Sequence, residues 1–386
     1  MTPPVRLPQA DGTFVVHRLH EPVSYPRPLG PITSRRAFAA THVVGDPFAE
    51  NVPGAPATLD WEATLAFRHH LWSYGLGVAE AMDTAQRGMG LEWATARELI
   101  TRSAAEARAV GGFIAAGAGT DHAPTAASLE DVIHAYEEQV EAVESAGAQV
   151  IVMASRRLAA IAEAPDDYSA VYGRVLSQVS QPVILHWLGT AFDPALAGYW
   201  GSTDIERATD RFVALVTEHR ASIDGVKVSL LDMNHELALR AALPPEVRIY
   251  TGDDFNFADL IRGDGARGSD ALLGIFSAIA PAASAALQAL DRDDIAGYDA
   301  ALEPTVALSR HLFGAPTFYY KTGVAFLAWL SGHQGGFTMV GGLQSARSAV
   351  HLAEAFRLAD GAGLFPDPEL AASRLSSFLT VTGAIA

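Results

Sequence analysis

The chain has no cysteine in its 386 residues. Disulfides, thiol nucleophiles and thiolate metal sites are thereby excluded, and a reducing cytosol suits such a chain. Lysine is nearly missing as well. Of 27 basic residues only Lys227 and Lys321 are lysines, so surface positive charge falls to arginine. The formal balance of −17 speaks against nucleic acid or an anionic membrane as a partner. No apolar run reaches the roughly 18 residues that suggest a membrane span. The opening stretch, MTPPVRLPQADGTF, lacks the apolar core of a signal peptide. The expected location is the cytoplasm.

What is present describes a globular protein with a large core, 49% hydrophobic and 18% charged. Residues 1 to 36 are proline-rich and read as an irregular arm. From Ala37 onward short apolar strands alternate with amphipathic helices. The strand candidates are 37–44, 77–82, 112–116, 149–153, 182–186, 223–228, 247–251 and 272–279. Helical periodicity fills the intervals. Eight strands alternating with helices predict an α/β fold, a (β/α)8 barrel over residues 37–290. A doubly wound sheet is disfavoured, because no glycine-rich dinucleotide loop follows the first strand. Residues 291–386 read as a helical appendage packed on the barrel.

Barrel enzymes place their chemistry at the C-terminal ends of the strands. Lys227 falls there in the sixth strand candidate, Ile223-Asp-Gly-Val-Lys-Val. Alternation puts Ile223, Gly225 and Lys227 on one face and the valines on the other. Gly225 is expected to leave space beside Lys227. The fifth strand places His186 on the inner face by the same count. A desolvated lysine beside a histidine makes a nucleophile and a proton carrier. Asp83, His122 and His186 are the side chains open to a metal, but they form no compact metal motif. Lys321 is expected to be structural, at the start of a helix after the barrel.

Several segments, in order, resemble the dihydrodipicolinate synthase and N-acetylneuraminate lyase family of class I aldolase barrels. YGLGVAEAMDTAQRGMGL is similar to that family's second strand and its Gly-Thr-Thr-Gly-Glu loop. VGGFIAAGAGTD resembles the third strand, QPVILHW the fifth, IDGVKVS the Gly-Ile-Lys of the sixth, and IYTGDD the Ser-Gly-Asp-Asp of the seventh. YYKTGVAFLAWLSG is similar to the start of the terminal helices. The resemblance runs from Ala37 to Leu364.

It implies a Schiff base at Lys227 and carboxylate binding by the loop carrying Asp83, Thr84 and Ala85. Of the family's paired threonines only Thr84 remains. The family's relay tyrosine falls on His186, its neighbouring asparagine on Trp187, and the tyrosines after the fourth strand on Ser155 and Arg156. Arg156, Asp253 and Ser277 complete the expected substrate contacts. No cofactor and no metal are implied. The reaction expected is an aldolase-type lyase step on a small 2-oxo acid or sugar-derived oxo compound. Two alternatives stand beside it: a dehydratase using the same imine, and a metal-dependent barrel isomerase or aldolase. The resemblance further implies a homodimer or homotetramer.

Overall fold

A computed structural model describes residues 4–82, 87–264 and 267–385. Eight parallel strands close into a barrel. They are β3 (Ala37–Ala40), β4 (Gly77–Glu80), β5 (Ile114–Ala118), β6 (Gln149–Val152), β7 (Val183–Leu188), β8 (Ile223–Ser229), β9 (Arg248–Thr251) and β10 (Asp270–Leu273), with β10 pairing to β3. Eight α-helices fill the seven intervals: α1 (Trp61–Ser73), α2 (Trp93–Val110), α3 (Leu129–Ala146), α4 with α5 (Arg156–Ile161, Pro165–Leu176), α6 (Ile205–Glu218) and α7 (Met233–Ala242), with α8 (Phe257–Arg262) before the last strand. Then come α9 (Ala280–Leu290), α10 (Ile295–Leu312), α11 (Tyr320–Leu330), α12 (Ala349–Gly361) and α13 (Pro368–Val381). Among the described residues no helix is long and apolar enough to cross a membrane.

Local chemistry sets these boundaries. Ser128 and Asp131 form a reciprocal capping box at the start of α3. Asp204 caps α6 by accepting from Glu206 and Arg207 amides. Gly111 and Gly147 end α2 and α3 in the left-handed conformation. Two apolar layers result. Phe38, Ala79, Ile151, Met153, Ile184 and Tyr250 belong to the cluster inside the barrel, while a larger one joins the strands' outer faces to the helices.

The structure departs from the sequence expectations in four places. The arm is not wholly irregular: β1 (Val5–Pro8) and β2 (Phe14–His17) form an antiparallel hairpin, and β1 packs near α12. The eighth strand stops at Leu273. At Gly274 an added Cβ would lie 2.5 Å from the Tyr320 ring, and Ile275–Ser277 turns as a 3-10 helix. Helix α4 has only six residues, too few for apolar periodicity to reveal. Gly225 does not open space at Lys227. A Cβ there would meet the Tyr250 ring at 2.7 Å and Arg248 Cβ at 2.8 Å, so the missing side chain admits neighbours from β9.

Candidate active site

Lys227 lies on β8, 7% exposed, in register with His186 of β7 on one side and Tyr250 of β9 on the other. Val226 and Val228 belong to the outer core cluster, so alternation turns Lys227 inward as expected. The ladder continues one residue past β9, with Gly252 N–H donating to Val228 O at 2.8 Å. A Cβ at Gly252 would sit 2.9 Å from Lys227 Cε and 2.2 Å from Ser229 Oγ. The glycine is therefore the space through which the lysine stem leans toward β9. On the other side His186 Nε2 and Ser229 Oγ are 3.1 Å apart, and both residues are buried.

Asp254 and Lys321 are buried at the strand ends as well, and Lys321 stands at the start of α11, a helix after the barrel, as expected. It is 2% exposed, and its Nζ donates to Ala40 O at the end of β3. Burial holds its pKa well below that of a free amine, with Asp254 opposing the shift and Lys227 adding to it. Asp254 is not a helix cap, since Asn256 occupies that position for α8. Its Oδ1 accepts the Ile275 amide at 2.9 Å. Burial pushes its pKa up to about 7, against that amide and the nearby Lys227 amine, which pull it down.

A raised carboxyl pKa means that the folded state binds more protons than the unfolded one between about pH 4 and about pH 7. Stability conferred at low pH is therefore lost as pH rises through that window. Glu236, buried between Ser269 and Thr251 hydroxyls and also raised to about 7, acts with the same sign. Buried bases whose pKa is lowered, His42, His70, His333, His351 and Lys321 among them, act with the opposite sign, so the carboxyls' share is read as a difference between variant and wild type. Glu236→Gln and Asp254→Asn should each raise the denaturant midpoint at about pH 8 relative to that at about pH 4, compared with wild type, and an unchanged pH dependence in both variants rejects this account.

The other expected contacts scatter. Asp83, Thr84 and Ala85 lie outside the described residues. Arg156 begins α4 and pairs with Asp193 at 2.5 Å. Together with Arg87, Thr120, Ser155, Arg157 and Leu188 it lines a cavity of about 470 Å³, built from segments that follow β4 to β7. Asp253 spends its carboxylate locally, accepting from Phe255 N, Asn256 N and Asn256 Nδ2 at 2.9–3.0 Å. Ser277 lines a different cavity of about 380 Å³, with Tyr25, His70, Tyr74 and His333. Trp187 faces outward against Trp200, Phe212 and His235. His122 bonds Gln139 and Glu138. Among the described residues the one grouping of metal-ligating side chains is His17, His20 and Asp360. It joins the arm to α12, away from the barrel strands.

Beneath the mouth Glu80 and Arg68, both fully buried, form a two-pronged ion pair at 2.7 and 2.9 Å. Ser103 and the Ala81 amide complete the carboxylate's shell, and the Thr64 and His42 carbonyls take the remaining guanidinium donors. Glu80 is thus turned into the helix layer, away from Lys227.

The fold and site define a closed (β/α)8 barrel with an inward lysine at the end of its sixth strand. Solved structures similar to it in fold include dihydrodipicolinate synthases. That of Aquifex aeolicus is 14% identical, with TM-score 0.62 over 86% of this chain and 99% of its own. The enzyme of Acinetobacter baumannii, complexed with pyruvate, is 17% identical, with TM-score 0.60 over 86% and 100%. YagE of E. coli K12, described as a prophage protein of the dihydrodipicolinic acid synthase family and also complexed with pyruvate, is 15% identical, with TM-score 0.61 over 91% and 99%. No curated protein matches the chain. The chain belongs to the DUF993 family, described as proteins of unknown function, whose model matches residues 5–384.

Proposed function

We propose that the protein is a class I aldolase-type lyase that acts on a small oxo acid through an imine at Lys227. One observation carries the reading. A buried amine stands on the inner wall at the C-terminal end of a barrel strand, beside a histidine in register with it. The likeness to pyruvate-bound barrels supports it. Lys227 adds to the ketone carbon, water leaves, and the resulting iminium draws electrons from the adjacent bond. That carbon–carbon bond then breaks or forms. His186, backed by Ser229, takes or returns the proton at the substrate oxygen released in that step. The arginine-lined cavity offers charge-assisted hydrogen bonds to a distal acidic group.

Incubation with pyruvate and borohydride should fix a secondary amine on Lys227, read by peptide mass. Absence of an adduct with pyruvate and with longer 2-oxo acids rejects the imine. Gly252→Ala offers a second check. Its methyl displaces the lysine stem, so adduct formation should slow by about 100-fold while the circular dichroism spectrum is kept. A wild-type rate in that variant removes Gly252 from the account.

A further inference from the structure

Two histidines of the arm and one carboxylate of the C-terminal helices meet away from the barrel. His17 ends β2, His20 follows it, and Asp360 stands in the last turn of α12. Asp360 is 1% exposed. Its Oδ2 lies 2.7 Å from His17 Nε2 and 2.8 Å from His20 Nδ1, and accepts the His20 amide at 3.0 Å. The three ligand-type atoms all stand within 4.8 Å of one another. The Phe356 ring, one turn earlier on α12, meets the His17 ring edge-on at 5.9 Å between centroids and limits how it can turn.

Electrostatics calls for a cation at this point. A carboxylate at a helix C-terminus meets the negative end of the helix dipole, and its burial without a counter-charge is costly. Among the described residues the ion-pair partners of Asp360 are these two imidazoles, and an imidazole is not a permanent charge near neutral pH. Arg357, one turn away, is engaged by Glu354 at 2.5 and 2.7 Å. Two imidazole nitrogens and a carboxylate oxygen are a donor set that suits zinc. With zinc–ligand bonds of about 2.0–2.1 Å, neighbouring ligands of a tetrahedron stand about 3.3 Å apart. The gaps of 2.7 and 2.8 Å need to open by only about half an ångström for a cation to replace the bridging protons. The His20 side chain is 57% exposed, which leaves an entry path and room for a water as fourth ligand.

We propose that His17, His20 and Asp360 form a zinc site that fastens the N-terminal arm to α12. Each ring binds through the nitrogen that faces Asp360 and keeps its proton on the other. The site takes no part in chemistry at Lys227. Its effect is on the arm, which continues into the wall of a cavity. Val23 N–H donates to Gly363 O at 2.9 Å, and Pro22, Val23 and Tyr25 line the cavity of about 380 Å³ that holds Ser277. A cation at His17 and His20 therefore fixes the start of that wall.

The test titrates chelator-stripped full-length protein with Zn²⁺ in a calorimeter and follows trypsin cleavage after Arg18, an exposed residue between the two histidines. Wild type should take up one equivalent. At zinc about ten times its Kd, cleavage at Arg18 should slow by about 10-fold relative to other exposed arginines, since only the unbound form opens. His20→Ala and Asp360→Asn should each lose both the bound equivalent and the protection. His134→Ala should keep both, because His134 is an exposed histidine paired with Glu130 on α3. Mg²⁺ and Ca²⁺, which prefer all-oxygen shells, should not displace zinc. Wild-type protein that takes up no zinc overturns the proposal and leaves a hydrogen-bonded clamp alone. Uptake that survives in both ligand variants, uptake lost in His134→Ala, or displacement by Mg²⁺ overturns it as well. If Asp360→Asn does not fold, His20→Ala decides alone, since His20 lies at the surface. None of these readouts depends on an imine at Lys227.

Discussion

Lys227→Ala should abolish borohydride-trapped mass gain from pyruvate and reduce turnover of any substrate by on the order of 10⁴-fold or more. The variant should keep its fold. The Lys227 side chain fills space released by Gly252 and stands on an inner wall where alanine already serves at Ala40, Ala79 and Ala115. Loss of the amine removes the covalent step itself, so no rise in substrate concentration restores the rate. Lys227→Arg keeps the charge and length but removes the nucleophile, because a guanidinium stays protonated. It should be as inactive as alanine. Full turnover in either variant ends the imine account. An adduct that persists in both places the reactive amine elsewhere.

The second large effect is on stability. Glu80→Ala should lower the unfolding free energy by about 3–5 kcal/mol, since removal of one partner strands a buried guanidinium. Urea unfolding followed by circular dichroism measures it, and a loss below about 1 kcal/mol sinks the argument. The change should also reach the mouth. Ala81, next in the chain, holds a left-handed φ of 48°, a conformation that costs a residue with a Cβ about 1–2 kcal/mol. Its amide is fixed by Glu80 Oε1 at 3.2 Å. Glu80→Ala therefore releases the turn at Ala81 and Met82. A milder loss is expected when Arg68→Met accompanies Glu80→Leu, because no charge is then left alone.

Much of this arrangement was legible in the chain. Period-two alternation in Ile223–Ser229 and Val183–Leu188 was enough to turn Lys227 and His186 inward, and the register confirms them as neighbours. Strand ends were less legible. The apolar run after Leu272 continues through Ile279, and only the Tyr320 ring pressed against Gly274 shows why the strand stops. The same limit hid the role of Gly225, whose neighbours come from β9. The burial of Lys321 was not legible either. Its helix is nearly buried all round, so apolar patterning marks no face, and its partner on β3, the Ala40 carbonyl, is remote in sequence. Asp253 and Asp254 could not be told apart by spacing alone. Closure of the loop sends one carboxylate to its own turn and the other to the Ile275 amide.

The scarcity of lysine has a practical corollary. Both ε-amines are buried, Lys227 at 7% and Lys321 at 2% exposure, so the folded surface offers no lysine side chain to acylating, cross-linking or reductively alkylating reagents. Reagents that decorate most proteins indiscriminately become selective here. Uptake of a small aldehyde or activated ester by a lysine of the native chain reports on the barrel interior, and protection by a bound oxo acid would provide a ligand screen that needs no known reaction.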